Sequence, residues 1–367
     1  METIQEKPPL YRVVGCMSGT SLDGLDLAFC TFSYKNGWLF TPGPAETISF
    51  SPERARQLAE IENASALDFS LADTDFGAWT GQQIAGFMAR HQLQADFASV
   101  HGHTIFHQPQ RRLTVQLGDG AATAAHAGLP VVCNFRKADL ALGGQGAPLV
   151  PLGDHLLFSE YTFCLNLGGI ANISFEKDGQ RLAWDICPVN MVMNTLAARA
   201  GKPFDEGGKI AASGSVSSGL LHKLDSLAFY QQPFPRSLGK EWVLARVMPL
   251  LQQSGLGTED QMATFARHAA GQVAKTVKQH GHSHARALVT GGGAHNSYFL
   301  HLLRQLAPGV AFAVPEKNLL EFKEAQVFAL LGVLRWCGQN NVLASVTGAP
   351  CNHCAGEIHL PSACLPR

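Results

Sequence analysis

The apolar positions of the N-terminal third fall into strand-like and helix-like stretches in alternation. Residues 11–17 and 25–33 are apolar and rich in β-branched or aromatic types, which predicts two strands. Between them, Ser18-Gly19-Thr20-Ser21-Leu22-Asp23-Gly24 has the composition of a turn. Helices are predicted at 52–63 and 66–92, strands at 97–101, 113–117 and 130–135, and a short alanine-rich helix at 119–127. Beyond the glycine-rich Gly143-Gly144-Gln145-Gly146-Ala147-Pro148 the opening is echoed. An apolar strand at 161–167, the turn Gly168-Gly169 and a second strand at 170–175 point to a duplicated lobe. The last third is more helical. Thr258 and Gln261 form a candidate capping box before a long helix whose Met262, Phe265, Ala266, Ala269, Val273 and Val277 make one stripe. A strand at 287–290 runs into Gly291-Gly292-Gly293, a helix starts near Asn296, and a final helix spans 319–338. Alternation of this kind predicts the α/β class.

Length and composition narrow the picture. At ~150 residues per domain, 367 residues favour two domains, and 46% hydrophobic residues are enough for a sizeable core. Lys and Arg number 28 against 29 Asp and Glu, a net charge of −1, which argues against a nucleic-acid or membrane-docking surface. The start is polar, without an apolar signal-peptide core, and no run reaches the ~18 apolar residues of a spanning helix. The expectation is a soluble cytoplasmic protein without nucleic-acid or membrane partners. Of nine cysteines, Cys16, Cys30, Cys133, Cys164, Cys187 and Cys337 sit among apolar residues and read as buried free thiols. An odd total does not read as a disulfide framework.

Charged residues are scarce at 16%, against the usual ~25%, while glycine is abundant at 37 residues. Three glycine turns close apolar strands, near Gly19, near Gly168 and at Gly291. Glycine lets backbone N–H groups approach an anion, and the hydroxyls of Ser18, Thr20 and Ser21 add donors. The chain has neither a P-loop nor a well-placed G-x-G-x-x-G. Each turn taken singly is explained as a tight connection between strands; three in one chain favour a nucleotide.

The motifs together carry a specific resemblance. Gly15-Cys16-Met17-Ser18-Gly19-Thr20-Ser21-Leu22-Asp23-Gly24 resembles the opening signature of anhydro-N-acetylmuramic acid kinases. Asn134-Phe135-Arg136 with Asp139, then Ala141 to Pro151, Leu165 to Ile173, and Gly291-Gly292-Gly293-Ala294-His295-Asn296 resemble the same family in the same order. The resemblance implies two ribonuclease-H-like lobes, the actin-like ATPase fold, with a central cleft for ATP and sugar. It also implies ATP and Mg²⁺ as cofactors and a homodimer. By this reading the lobes are 1–140, joined by about 340–367, and 141–339.

The implied reaction opens the 1,6-anhydro bridge with water at C1 and phosphorylates O6, which needs a carboxylate general base. Asp185 aligns with the family's base; a helix cap near Asn190 is the plainer reading. It stands at the end of the strand-like Arg181-Leu182-Ala183-Trp184. In Asp185-Ile186-Cys187-Pro188-Val189-Asn190 the commoner family pattern Asp-Thr-Gly-Pro-Gly-Asn keeps only Asp, Pro and Asn. The ATP-binding set implied is Ser18, Gly19, Thr20, Ser21, Leu22, Asp23, Gly24, Leu25 and Asp26, then Asn166, Gly168 and Gly169, then Gly291, Gly292 and Gly293. Asp23 would orient a hydrated Mg²⁺. The sugar set is His101, Arg136, Gln145 and Glu324; His103 stands where the family more often has Gln.

Three rivals remain. The altered stretch after Asp185 would suit a kinase for another anhydro sugar, and the same fold would also serve as a non-catalytic nucleotide-gated sugar sensor. Cys351, Cys354, His359 and Cys364 have zinc-knuckle spacing, although Ala355 and Ile358 replace the knuckle glycines and stacking residues are missing.

Overall fold

The computed structural model describes residues 9–19, 22–233 and 236–361. Its strands in chain order are β1 (Leu10–Ser18), β2 (Gly24–Tyr34), β3 (Trp38–Ser49), β4 (Phe97–Gln108), β5 (Leu113–Leu117) and β6 (Val131–Cys133). There follow β7 (Phe163–Leu167), β8 (Ile170–Lys177), β9 (Gln180–Pro188), β10 (Ala285–Thr290), β11 (Val310–Ala313) and β12 (Glu357–His359).

β1, β2 and β3 make an antiparallel meander; β4 lies parallel to β1 at its other edge and β6 parallel to β4. The whole order is β12-β6-β4-β1-β2-β3, with β5 hairpinned to β4. The second sheet repeats this plan. β7, β8 and β9 form the meander, and β10 and β11 add in parallel on the far side of β7. Two sheets with one five-strand topology are the ribonuclease-H-like pair that the resemblance implied. The echo between the two sequence hairpins is a duplication of topology.

Alternation along the strands sets the cores. Val13 and Phe97 face one buried cluster of the first sheet, while Val14 and Ala98 face another on the opposite side. The second sheet is covered by the helix Thr258–His280, whose predicted stripe, Met262 to Val277, is buried. That helix is not capped by a box. Gly257 is its N-cap, Thr258 is the first helical residue, and Gln261 turns to the carbonyl of Leu256 at 2.8 Å.

The chain divides into two compact units, Met1–Leu157 with Phe322–Arg367, and Phe158–Glu321. Both crossings differ from the sequence-based limits at 140 and 339. Helix Val150–Leu157 and its flank place Leu149 and Leu152 in the core of the first unit, beside Val327 and Phe328. The second crossing falls inside the unbroken helix Lys317–Trp336, where no change of composition marks it. β3 is an exposed edge strand containing Pro42 and Pro44, so neither apolar alternation nor β propensity reveals it.

Gly15 fixes how the long helix rides on the first sheet. A Cβ there would lie 1.9 Å from the carbonyl oxygen of Ala325. The contact sets the position of Glu324, one residue earlier.

Candidate functional site

The opening turn is a tight link between β1 and β2. Ser18 is buried and its Oγ meets Nδ1 of His103 at 2.9 Å, so the family variant at 103 supports the turn rather than facing away from it. Leu22 takes a left-handed backbone, with φ 60, and its N–H donates to the Gly19 carbonyl at 3.4 Å. Asp23 is exposed. Gly24 packs on the carbonyl of Ile48, Leu25 fills the core, and Asp26 accepts from Thr47 Oγ1 at 2.6 Å; these three brace the turn from behind. Thr20 and Ser21 lie outside the described residues.

The sugar candidates of the first unit form one connected group. His101 is 4% exposed and donates from Nδ1 to the Gly102 carbonyl at 2.7 Å, which leaves Nε2 as an acceptor. Into it Arg136 donates twice, from Nε at 3.0 Å and Nη2 at 2.9 Å. Burial, and then the Arg136 charge, hold His101 well below the usual histidine range, so it is neutral. Desolvation likewise lowers Arg136, to about 10, and Glu324 pulls it back up; it remains a cation at neutral pH. Glu324 reaches solvent, yet the protein around it raises its carboxyl, while Lys323 and Arg136 act in the opposite sense.

The glycine loop that carries Gln145 is tied to the same group. Arg136 Nη1 donates to the Gly146 carbonyl at 2.7 Å. Asp139, fully buried, accepts from the Gly146 N–H at 2.5 Å and from Thr347 Oγ1 at 2.7 Å. The backbone of Gln145 donates to the Thr347 carbonyl, and its side chain is left exposed. Asp139 was visible only as part of a motif, and Thr347, 208 residues further on, gave no signal.

In the second unit two of the predicted glycine turns meet. Gly291, with φ 83, packs so closely that a Cβ would lie 2.3 Å from Asn166 Oδ1, and Gly293 packs on Leu167. The carbonyls of Gly168 and Gly169 accept from Asn190 and Met191 at 3.2 Å each, so that turn also seats the start of the helix Asn190–Arg199. A Cβ at Gly292 would meet the Asn190 side-chain amide at an ordinary 3.6 Å.

Asp185 is neither at a strand end nor a helix cap. β9 continues to Pro188, and Ile186 is an extra residue between the pairs Asn172–Asp185 and Ala171–Cys187. Such a bulge re-aims neighbouring side chains. Asp185 Oδ2 accepts from the Leu238 N–H at 2.8 Å and from Ser237 Oγ at 3.1 Å, while Oδ1 takes no hydrogen bond from the described residues. Burial raises its pKa, and the two donors restrain the rise. Ile186, Cys187 and Val189, where the sequence departs from the family pattern, are at most 1% exposed and point into the core. They therefore add no bulk to an accessible surface.

The described residues do not bring the rival knuckle ligands of the tail together. Cys351 is exposed, Cys364 lies outside the described residues, and the ligand atoms that cluster are those of Cys133, Glu357 and His359.

Known proteins match this chain along nearly its whole length. The family model described as "Anhydro-N-acetylmuramic acid kinase" matches residues 11–361. The anhydro-N-acetylmuramic acid kinase of Paramagnetospirillum magneticum is 33% identical over 360 residues, covering 95% of this chain and 99% of that protein. That of Xanthomonas campestris pv. campestris is 35% identical over 375 residues, covering 96% of this chain and 97% of the relative. A solved structure, the activator of the 2-hydroxyisocaproyl-CoA dehydratase from Clostridium difficile with bound ADPNP, is 15% identical. It covers 87% of this chain and 93% of its own, at a TM-score of 0.43, too low to bear on function. The match over residues 11–361 and the identity to full-length relatives decide the matter: the chain belongs to the anhydro-N-acetylmuramic acid kinase family.

Proposed function

We propose that this chain is an ATP-dependent kinase for 1,6-anhydro-N-acetylmuramic acid, giving N-acetylmuramic acid 6-phosphate and ADP in peptidoglycan recycling and amino-sugar breakdown. The observation that carries the reading is the family match over residues 11–361. Asp185 supplies the chemistry that the ring opening requires. Its Oδ2 is anchored by Ser237 and Leu238, so Oδ1 is the oxygen available to a water molecule. Asp185 takes a proton from that water as the water oxygen bonds to C1. The C1–O6 bond breaks with its electron pair passing to O6, and O6 takes the γ-phosphoryl group as ADP leaves. The proton then passes from Asp185 to solvent. Partial desolvation makes the carboxylate a stronger base, and the two donors keep it ionised.

Binding is assigned by unit. In the first, Ser18 to Asp23 cradle phosphate with Gly24, Leu25 and Asp26 supporting them from behind, and Arg136, with His101 neutral behind it, pairs with the carboxylate of the sugar's lactyl group or with a phosphate. Gln145 and Glu324 hydrogen-bond the sugar. In the second, Asn166, Gly168, Gly169 and Gly291 to Gly293 offer backbone and amide donors to ATP. Asp23 would hold a Mg²⁺ accompanying ATP through water, and the ion would supply neutralisation of charge on the phosphate oxygens. The protein acts as a homodimer in the cytoplasm; no helix among the described residues is long and apolar enough to cross a membrane.

The test is incubation with Mg-ATP and the anhydro sugar. ADP and sugar phosphate should form in equal amounts, with ADP release depending on the sugar. ADP release indifferent to the sugar contradicts the reading.

A further inference from the structure

We propose that Cys133, Glu357 and His359 form a zinc site that clasps β12 to β6. The placement follows from strand register. β12 runs antiparallel to β6, with Glu357 opposite Cys133 and His359 opposite Val131. Residues two apart on a strand share a face. Glu357 and His359 therefore lie on one side of β12, and Cys133 joins them from the neighbouring strand. The three ligand atoms all lie within 4.8 Å of one another. A tetrahedral zinc with bonds of ~2.0–2.3 Å holds its ligands roughly 3.3–3.8 Å apart, so a modest turn of the side chains closes the set.

Two further observations separate this group from ordinary strand neighbours. His359 Nε2 is shut off from solvent and has no hydrogen-bond partner, although it lies 3.6 Å from Glu357 Oε2. An unmet buried nitrogen of this kind calls for a ligand. Gly120 packs closely against the same two side chains. A Cβ at that position would lie 2.7 Å from both Cys133 Sγ and His359 Nε2 and closer still to His359 Cδ2, so only glycine lets the sulfur and the nitrogen converge there.

The donor set selects the metal. A thiol, an imidazole and a carboxylate suit zinc, whereas Mg²⁺ and Ca²⁺ prefer oxygen alone. Thiolate and carboxylate together balance two positive charges. Lys137 Nζ, 3.8 Å from Glu357 Oε1, opposes the cation, and Asn134 Nδ2 donates to Oε2 at 2.7 Å and orients the carboxylate. On binding, the Cys133 S–H proton leaves to solvent as the Zn–S bond forms, zinc stays divalent, and water fills the fourth position. The site is separate from the tail cysteines Cys351 and Cys354. Its effect falls on an edge strand, and on the end of β6 that leads through Asn134 to Arg136.

The full-length protein is loaded with one equivalent of Zn²⁺, dialysed against metal-free buffer and analysed for metal. About one zinc per chain should remain, and Cys133→Ser and His359→Ala should each weaken binding at least ~10-fold. The double variant Cys351→Ser/Cys354→Ser should keep it. Co²⁺ in place of zinc should give a thiolate-to-cobalt charge-transfer band that Cys133→Ser abolishes. Where Cys133→Ser does not fold, Glu357→Gln reads the same affinity loss. Less than ~0.2 equivalents of zinc in the parent overturns the proposal. So does unchanged affinity in Cys133→Ser and His359→Ala, or a loss confined to the Cys351/Cys354 variant.

Discussion

Asp185 keeps its two carboxylate oxygens in unlike surroundings, and the proposed base role rests on that asymmetry. Oδ2 accepts from Leu238 and Ser237, which leaves Oδ1 as the oxygen proposed to take the proton. Asp185→Asn should cut sugar-dependent turnover at least ~100-fold while the sugar KM moves little, as measured by ADP release. Ser237→Ala removes a donor that lowers the Asp185 pKa. The acid limb of kcat/KM should therefore move to higher pH while the plateau is kept, and an unmoved limb would count against Asp185 as the titrating base. Arg136 depends equally on geometry. Arg136→Lys retains the charge but cannot reproduce the two bonds to His101 Nε2, so kcat/KM should fall by roughly 10-fold or more. None of these supports was legible locally. Asp185 could be picked out by its motif, but its donors lie 52 and 53 residues away, and His101 is 35 residues from Arg136.

At the scale of elements, close backbone approach decides where glycine is required. Gly15→Ala would drive a Cβ into the Ala325 carbonyl, and neither β1 nor the helix Lys317–Trp336 can yield cheaply. Urea unfolding should show a loss of about 1–3 kcal/mol. Gly219, in the helix Ser218–Asp225, has open space where a Cβ would stand, with no neighbouring atom within 4 Å of that point. Gly219→Ala should therefore be neutral or stabilising by up to ~1 kcal/mol. Equal losses from both substitutions would mean that the packing of Gly15 has no special weight. The strands beside the glycine turns were readable because apolar runs and turn residues are local signals. β3, β11 and β12 were not, since all three are edge strands, and the short β12 pairs with β6 far back in the sequence. The second unit boundary was hidden for another reason, as a helix continues through it without interruption.

For the molecule as a whole, buried neutral histidines set the response to acid. His101 and His103 are buried and held below the usual 6.5 by desolvation. Below about pH 6.5 the unfolded chain binds protons that the folded chain refuses. Stability is therefore full above that pH and is lost as pH falls, by up to ~1.4 kcal/mol per pH unit for each such histidine. Asp185 and Glu324 have raised pKa values and act in the opposite sense, though nearer the carboxylate range. Urea midpoints between pH 5.5 and 7.5 should rise with pH, and His101→Gln should flatten the slope; an unchanged slope would mean that His101 takes up a proton in the fold. The family match makes the chain a kinase, and attack by water at C1 with Asp185 as base is the proposed ring opening. The most direct test is turnover of the anhydro sugar and Mg-ATP in ¹⁸O-labelled water, read by mass spectrometry. One ¹⁸O should appear at C1 of the sugar 6-phosphate for each ADP formed, with both lost in Asp185→Asn; sugar phosphate that keeps an unlabelled C1 oxygen, or full labelling by Asp185→Asn, would contradict the role of Asp185 and its water.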